Sequence, residues 1–518
     1  MSAFNSTSDP LSQQIADVAD SVDLIWISIC TYLVFFMQTG FAFLEGGVIR
    51  FKNVQNILLK NLLDVIFGSF IWWLVGYAFA FGNDHSGFIG GDKYYAGTNL
   101  ISEDYRKFMF QWAFACTAAT IVSGSVAERI RLGTYTSFSI IMTGWVYSMV
   151  VHWGWNPDGW LKSMGYHDFA GSGVVHLAGG AAGLSAAILL GPRTGRYTKN
   201  REGEFIPNNI GYIVLGTFIL WFGWYGFNCG STYGATGAKK DLVGKVGMHT
   251  SLGGIGGGIV TYLLHYYYNR DTNRKYSVVA MCNGVLAGLV AITAGCDNVE
   301  SYCALLIGMM GGGLYYYLVK LANYLHIDDP LDASSMHGGC GIFGLIAIGF
   351  FDLEKGVLYG DHNARLLGVQ VLGAVCITCW TAGWAFIYLL PFKLLGKLRI
   401  DEQEEYVGCD LTKHGQYAFL LDVDKVRGIE SIDSPDEIAE KVRQASKQTH
   451  DIIRIVLAKK PDGSLPGGKS KFSQSMDHHL HDESGSANRI FEKEEKTIEA
   501  KEPFLSLPKG NGNDNINH

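Results

Sequence analysis

Charged residues are scarce over the first 392 of the 518 positions of this sequence. Of its 89 Asp, Glu, Lys and Arg residues, 42 lie between Lys393 and His518, which leaves 47 for the first 392 positions. The charged fraction is therefore about 12% in the first part and about 33% in the remainder. Such a division argues against a water-soluble enzyme and indicates a membrane-embedded region followed by a charged tail.

Other scarce features exclude further classes. The 11 prolines are too few for a proline-rich disordered chain, whereas the 65 glycines suit helices that pack closely in lipid. A net charge of −7 gives no sign of a nucleic-acid partner. No phosphate-binding loop of the Gly-x-x-x-x-Gly-Lys type occurs, so direct drive by ATP is not expected.

Eleven uncharged runs are long enough to cross a bilayer, which takes about 20 apolar residues in a helix. We therefore predict an all-α polytopic membrane protein with eleven transmembrane helices, numbered spans 1 to 11. Because no signal peptide precedes the first run, we expect span 1 to be a retained helix. The runs cover residues 24–44, 65–82, 108–127, 132–151, 169–192, 205–238, 246–269, 276–296, 301–319, 333–351 and 366–392.

Short-loop Lys and Arg residues, which stay cytoplasmic, follow the odd-numbered spans. They are Arg50, Lys52 and Lys60, then Arg129 and Arg131, then Arg193, Arg196, Lys199 and Arg201, then Arg270, Arg274 and Lys275. Residues 1–23 are thus predicted outside, with Asn5 as a possible glycosylation site, and the chain from residue 393 inside. Lys239, Lys240 and Lys245, assigned to the loop after span 6, break the pattern.

The ten cysteines do not form a framework. Most lie within apolar runs, where free cysteine behaves as a small hydrophobe. Cys296 and Cys303 flank an outer loop and could form a disulfide, although free thiols are the stronger expectation. Cys376 and Cys379 have no second pair at metal-ligand spacing.

Spans 5 and 10 open with similar motifs. Asp168 precedes His176 by eight residues, and Asp329 precedes His337 by eight. Because five spans separate them, the motifs enter the membrane from opposite sides. This pattern predicts an inverted repeat of spans 1–5 and 6–10, with span 11 outside it and a substrate path at the repeat interface. His176 and His337 should then meet near mid-membrane.

Two interpretations of these histidines compete. A lone histidine in a membrane helix is more often a packing residue, but a symmetric pair favours function. Apolar neighbours favour neutral imidazoles with one donor and one acceptor each, which suits a small neutral or protonatable solute. A metal site, as in a membrane metallo-hydrolase, would need a third ligand that neither flank supplies. No cofactor or metal is expected.

These motifs resemble the Amt/Mep/Rh ammonium transporter family, specifically its plant-like Amt branch, from about Leu24 to about Tyr417. The resemblance also rests on Gly226-Phe-Asn-Cys-Gly-Ser231, Ala127-Glu-Arg-Ile-Arg131 and Gly408-Cys-Asp-Leu-Thr-Lys-His-Gly415. It implies a homotrimer in a cell membrane, with one path for ammonium or methylammonium per subunit. Cys229 replaces the usual plant proline, and Gln416 replaces a glycine of the tail motif.

The resemblance assigns three parts to the path. They are an outer recruitment site at Phe114, Trp155 and Ser231 with Asp168 beside it, a gate of Phe114 and Phe227, and a pore lined by His176 and His337. An aromatic face attracts a desolvated cation, and a hydroxyl can accept an N–H bond. Without the resemblance, Trp155 would be typical of an interfacial aromatic belt. Phe114 and Phe227 would be interpreted as packing residues, and Asp168 as a helix N-cap.

Other charged residues are given structural roles. Asp329 and Asp332 should match Asp168 as helix-end residues, with a proline between them fixing the helix start. Glu45 and Arg129 are interpreted as anchors at the inner surface.

The charged tail divides into a regulatory region, residues 393–460, and a disordered region, residues 461–518. By resemblance, the segment with Gly408, Asp410 and Thr412 packs against a neighbouring subunit. A kinase acting on Thr412 would add charge and disrupt that contact, although an ordinary solvated turn fits the same residues. A helix is predicted from Ser434 to about Lys460.

The leading hypothesis is a transporter, not an enzyme, that recruits ammonium, deprotonates it and conducts ammonia with net charge movement. The alternative is an ammonium sensor, or transceptor, that signals through its cytoplasmic tail.

Overall fold

A computed structural model of the chain describes residues 10–418, apart from residues 85 and 361 and the side chain of residue 202. The Asn5 sequon, the helix expected from Ser434 and the region from residue 461 lie outside the described residues. Predictions about them therefore stay predictions.

Each of the eleven predicted spans coincides with a helical stretch, and we number these helices α1 to α11. They cover Pro10–Val48, Phe51–Phe81, Ser102–Val126, residues 132–155, Ser172–Leu190, Ile210–Gly230, Lys239–Asn269, Val278–Ile292, Ser301–Tyr324, Ser334–Phe351 and Arg365–Leu394. Eight of these are long and apolar enough to cross a membrane by length and composition alone, and α4, α7 and α8 are the others. The prediction of an all-α polytopic membrane protein is confirmed.

Smaller elements complete the described part. The tail carries two short helices, α12 at Glu402–Val407 and α13 at Cys409–His414. Single turns lie at Tyr95–Gly97, Trp160–Met164 and Glu202–Phe205. Strands Asn83–Asp84 and Gly90–Gly91 pair antiparallel, with Asn83 opposite Gly91.

Several helix boundaries differ from those of the predicted runs. Helix α2 begins at Phe51, fourteen residues before the second run, so Lys60 lies within a helix and not in a loop. Helix α1 begins at Pro10, fourteen residues before the first run. Helix α7 begins at Lys239, so the assignment of Lys239, Lys240 and Lys245 to a loop is wrong. Charge ended the apolar run but not the helix, because long cationic side chains can extend from a helix end towards water.

The halves of the predicted repeat meet along matching helices. Helix α1 packs along α6, and α5 packs against α10. Small residues allow the close approach: a Cβ on Gly216 of α6 would lie 2.5 Å from the Leu44 nitrogen of α1. Both α5 and α10 begin with a π-helical turn, Ser172–Leu177 and Ser334–Gly339. Such turns are frequent at functional sites.

A buried ion network joins the loops at the tail side, which is the end of the bundle that carries residues 395–418. Glu128 pairs with both Arg50 and Arg193. Arg193 also holds Asp328 through two bonds of 2.8 and 2.9 Å. Burial alone would raise the pKa of Glu128, but Arg193 and Arg50 lower it to about 2. The network therefore keeps the carboxylate ionised inside the protein.

Glu45 and Arg129 are not surface anchors, so that interpretation is wrong. Their exposed fractions are 1% and 0%. Glu45 accepts hydrogen bonds from Asn61 and Ser123. Arg129 donates to backbone carbonyls of residues 127, 191 and 328, and these bonds offset the loss of water around its guanidinium.

Cys296 and Cys303 are both buried and free, so they do not form the possible disulfide.

We predict that Glu128→Gln lowers the free energy of unfolding at pH 7 by roughly 3 to 5 kcal/mol, because it leaves Arg50 without its counterion and Arg193 with Asp328 alone. The folded pKa, about 2, lies below the ordinary value of 4.5. The wild-type advantage should therefore be complete above about pH 4.5 and shrink as the pH falls towards 2. Thermal unfolding of the detergent-solubilised protein measures both effects.

The matched control is Glu204→Gln, which removes an exposed pair with Arg201. This change should cost less than about 1 kcal/mol. Equal losses for the two variants would contradict the role given to the buried network.

Candidate functional site

Six rings follow one another through the bundle in a continuous column. Successive centroids are 5.8 Å apart from Trp155 to Phe114, 4.0 Å to Phe227, 5.4 Å to His176, 5.2 Å to His337 and 6.4 Å to Phe41. The structure therefore brings together the predicted recruitment, gate and pore residues that carry rings.

The two phenylalanines form the tightest step of the column. Phe114 of α3 and Phe227 of α6 are both fully buried, and their ring planes meet at 24°. At a centroid distance of 4.0 Å the rings are in direct contact. A hydrated ion cannot pass between rings in this arrangement.

The two histidines contact each other directly, as the inverted repeat predicted. Nδ1 of His176 lies 3.2 Å from Nδ1 of His337, and the exposed fractions of the two residues are 0% and 5%. A hydrogen bond between the two Nδ1 atoms requires one proton between them, so this contact excludes a doubly charged pair. One ring then presents a bare Nε2 and the other an Nε2–H.

Aspartates at the starts of α5 and α10 orient the histidines. Asp168 accepts bonds from the backbone N–H groups of residues 171, 173 and 174 at 3.1, 2.9 and 2.8 Å. Asp329 accepts from the N–H and hydroxyl of Ser334 at 2.7 and 2.6 Å. In each motif, therefore, the carboxylate holds the backbone five residues ahead and the histidine follows three residues later.

A glycine contact lets the helices that carry the histidines approach. A Cβ on Gly180 would lie 2.1 Å from the backbone nitrogen of Gly338, which directly follows His337. Any larger residue at position 180 would push α5 and α10 apart next to the paired rings.

Asp168 lies beside the aromatic site, but its carboxylate is turned towards the helix start. Only its backbone carbonyl reaches the site, where it accepts a 2.7 Å bond from Trp155 Nε1. Burial raises the pKa of the Asp168 carboxyl, while the N–H donors of Val174, Gly173 and Gly171 act in the opposite direction. The geometry is that of a helix cap which also fixes the indole.

Ser231 is held by its own helix, whereas Asp332 does not take the role expected of it. The Ser231 hydroxyl donates to the Phe227 carbonyl at 2.9 Å, so it is tied to the helix that carries the gate and retains lone pairs to accept a bond. Asp332 does not cap α10: its carboxylate accepts from Tyr315 OH at 3.1 Å, and its φ is +54°. The expectation that it matches Asp168 is wrong, because Asp329 alone makes those bonds.

Sequence reasoning missed two rings of the site. Trp224 stacks on His176 at 5.2 Å, and Phe41 contacts His337. Trp224 precedes Phe227 by three residues in the same helix, a spacing that places both on one face and could have indicated it. Phe41 carries no such signal.

A cavity of about 290 Å³ lies at the tail side of α10. Asp329 and Asp332 line it together with Arg193, Arg196 and Asn283. Its lining therefore combines two carboxylates with two guanidinium groups beside the start of α10.

The tail segment docks on its own chain. Asp410 accepts bonds of 2.9 Å from the backbone N–H groups of Gln55 and Asn56, at the start of α2. The φ of Gly408 is +106°, and a Cβ there would lie 2.6 Å from Lys52. Thr412 is exposed, and its hydroxyl donates to the Gly408 carbonyl. Contact with a neighbouring subunit stays a prediction.

Within the described ranges, no group of three His, Cys, Asp or Glu side chains converges as metal ligands.

Comparison with known proteins shows a family. Residues 25–419 match the model of the Ammonium Transporter Family. Ammonium transporter 1 member 3 of Solanum lycopersicum is 40% identical over 442 residues, which are 78% of this chain and 94% of that protein. Ammonium transporter 1 member 1 of Arabidopsis thaliana is 41% identical over 413 residues, which are 72% of this chain and 81% of that protein.

Solved structures give the same result. A structure named Sensor Amt Protein matches with a TM-score of 0.70 and 33% identity, covering 77% of this chain and 99% of that one. Mep2 from Candida albicans matches with a TM-score of 0.69 and 29% identity, covering 80% of this chain and 94% of that one.

Proposed function

The chain belongs to the ammonium transporter family, and we propose that the ring column is the route by which it carries ammonium across a cell membrane. The observation that carries this proposal is the direct contact of His176 with His337 in the buried part of that column. A paired donor and acceptor at that depth suits ammonia better than a permanent cation.

Ammonium enters at the aromatic site. The edge-to-face rings of Phe114 and Trp155 provide a face that attracts a partly desolvated cation. The hydroxyl of Ser231, which is half-buried and bonded to the carbonyl of the gate residue Phe227, can accept one of its N–H bonds. Asp168 contributes by fixing the indole and assists deprotonation at a distance.

Deprotonation makes the route selective for ammonium over potassium. The two ions are similar in size, so a pore of fixed width passes both or neither. Ammonium alone can release a proton, cross the Phe114 and Phe227 gate as ammonia, and continue along the imidazoles. The proton follows separately, so that charge moves with each cycle.

The assembly follows the family pattern. The protein is a homotrimer with one path per subunit, its N-terminus outside and its tail in the cytoplasm. The clustering of Arg50, Arg129 and Arg193 at the tail side supports this orientation, since cationic loops stay in the cytoplasm. Methylammonium should follow the route as an analogue.

The tail controls transport through the segment containing Gly408, Asp410 and Thr412. Asp410 is seated on the N–H groups at the start of α2, where a carboxylate is favoured. Exposure of Thr412 gives a kinase access to its hydroxyl.

A sensor that signals through its tail is the second candidate, favoured by the likeness to the structure named Sensor Amt Protein. Current and labelled-methylammonium uptake measured on the same expressing cells distinguish the two. Saturable uptake with an inward current supports transport. Binding by the purified protein without uptake would support the sensor and contradict our proposal.

We predict that His176→Ala and His337→Ala each abolish selective uptake or admit potassium, because loss of one imidazole lets water and hydrated ions into the column. Uptake of labelled methylammonium and potassium conductance are measured in the same cells. His362→Ala, at an exposed position, is the control and should be normal. Normal uptake and selectivity in both pore variants would refute the twin-histidine route.

We also predict that Trp155→Leu weakens the apparent affinity for methylammonium by about 2- to 30-fold, the equivalent of a cation–π contact of about 0.5 to 2 kcal/mol. Trp73→Leu removes a partly exposed indole of α2 and serves as the control. If uptake by Trp155→Leu depends on methylammonium concentration as uptake by the wild type does, Trp155 belongs to the interfacial aromatic belt and not to the recruitment site.

Thr412→Asp should inactivate the transporter while it still reaches the membrane. It removes the hydroxyl bond to the Gly408 carbonyl and places a carboxylate next to that oxygen and near Asp410. Thr412→Asn, which is similar in size and neutral, should retain most activity. Uptake per molecule at the surface is the measurement.

If the segment also contacts a neighbouring subunit, Thr412→Asp should depress activity in mixed assemblies by more than its share of the subunits. Strict proportionality would show that each pore is regulated alone. Full activity of the variant would identify the segment as an ordinary turn.

A further inference from the structure

Three charged side chains are buried together between α1 and α2. Glu45, Lys60 and Asp64 are 1%, 1% and 0% exposed, and Lys60 and Asp64 lie within electrostatic range of the Glu45 carboxylate. Ionisable groups inside a membrane bundle are costly to bury, and they mark proton and ion routes in pumps and transporters. The route proposed above for ammonia uses none of the three.

The hydrogen bonds of Glu45 leave room for a proton. Its Oε2 accepts from Asn61 Nδ2 at 2.9 Å, and its Oε1 contacts the hydroxyl of Ser123. The same hydroxyl lies 2.8 Å from the carbonyl oxygen of Thr120, and its single proton cannot be donated to both acceptors at once. When Glu45 carries a proton, it can donate to Ser123 while Ser123 donates to Thr120. Both protonation states of Glu45 are therefore accommodated.

A row of polar side chains leads from the ring column to Glu45. Gln38, Phe41 and Glu45 follow one another at spacings of three and four residues, which places them on one face of α1. Phe41 is the ring that contacts His337. The Thr120 hydroxyl donates to Gln38 Oε1 at 2.9 Å. The polar row comprises Gln38, Thr120, Ser123 and Glu45.

The charged cluster continues the polar row towards the tail side. Lys60 and Asp64 are one turn apart on α2. Asp64 accepts a bond from the hydroxyl of Tyr135 in α4, and the Lys60 ammonium lies 5.5 Å from the centre of the same ring. The N–H of Asn56, one turn before Lys60, donates to Asp410 of the docked tail segment. Buried polar groups thus extend from the histidine end of the column to the start of α2.

Two amide atoms on either side of Glu45 have no protein partner among the described residues. They are Gln38 Nε2 and Asn61 Oδ1, and both are buried. Buried polar atoms without a protein partner bind ordered water in folded proteins. Water at these atoms can bring a proton to the carboxyl group of Glu45 and take one away.

We propose that the polar row, Lys60 and Asp64 relay to the cytoplasm the proton that ammonium releases, while ammonia follows the rings. Ammonium at the aromatic site gives its proton to water and becomes ammonia. Glu45 takes a proton from water on the Gln38 side and releases it on the Asn61 side, where Asp64 and Lys60 pass it on. At the tail side the proton rejoins ammonia, so charge moves in each cycle although no ammonium ion crosses the column. The inference rests on the proposed function and names the path that its proton takes.

Replacement of Glu45 tests the relay in cells that express the full-length protein. Glu45→Gln keeps the size of the side chain but cannot take up a proton at neutral pH. The charge moved per molecule of labelled methylammonium should fall by about 10-fold or more, because the neutral amine still crosses and its proton stays outside. A folding defect alone lowers current and uptake together and leaves their ratio unchanged. Glu45→Asp, which keeps the carboxyl group, should retain most of the wild-type ratio.

A second variant leaves the charged residues in place. Ser123→Ala removes the hydroxyl between Glu45 and the Thr120 carbonyl, and it should lower the same ratio. The matched control is Thr381→Ala, which removes a buried hydroxyl that donates to the Ile377 carbonyl in α11. Its ratio should equal that of the wild type. If Glu45→Gln does not reach the membrane, Ser123→Ala decides.

Proton release outside the cell is an independent measurement. Uptake by Glu45→Gln in weakly buffered medium should acidify the medium, since each neutral amine that enters leaves its proton behind. Wild-type uptake should not acidify it, because the proton follows through the relay.

A wild-type ratio of charge to methylammonium in both Glu45→Gln and Ser123→Ala would overturn the relay and leave the proposed function intact. Saturable uptake without current in the wild type would also overturn it, because no proton would then need a path. A wild type that takes up no methylammonium would refute the proposed function and, with it, the relay.

Discussion

The contact between two imidazoles in a water-poor interior is the constraint on which the rest of the architecture depends. His176 and His337 can meet at 3.2 Å only if the backbones of α5 and α10 nearly touch and each ring is aimed from its first turn. Gly180 permits the approach, and the carboxylates of Asp168 and Asp329 fix the two turns. The two motifs are related by an inverted repeat, so the same arrangement of an aspartate that caps a helix and a histidine that follows it occurs twice. The two histidines meet at the centre.

The distribution of charge supports the same function. The buried ion network of Glu128, Arg193 and Asp328 lies at the tail side, where it joins loops between helices. Aromatic and imidazole rings, by contrast, follow one another along the column. Along the proposed route, the buried rings of the middle part therefore favour a neutral solute over a cation. The tail segment is docked on the start of α2, close to the network, so its release would act on the loops and not on the rings.

Much of this arrangement could be predicted from the sequence because it depends on composition and repetition. The apolar runs predicted the eleven helices, and the repeated spacing of Asp and His predicted that His176 and His337 meet. Burial of Glu45 and Arg129 could not be predicted, because their partners, such as Ser123 and Asp328, are distant in the chain. The start of α1 at Pro10 was not predicted for another reason. Residues 10–23 are polar on one face, and only the three-and-four spacing of their apolar residues indicates a helix.

We propose that the substrate crosses the paired histidines without its charge. Liposomes that contain the purified wild-type protein, loaded with labelled methylammonium in one set and labelled potassium in another, are the test. We expect protein-dependent flux of methylammonium and none of potassium, although ammonium and potassium are similar in size. Comparable fluxes of both ions would show that a permanent cation can pass the column and would refute a neutral crossing.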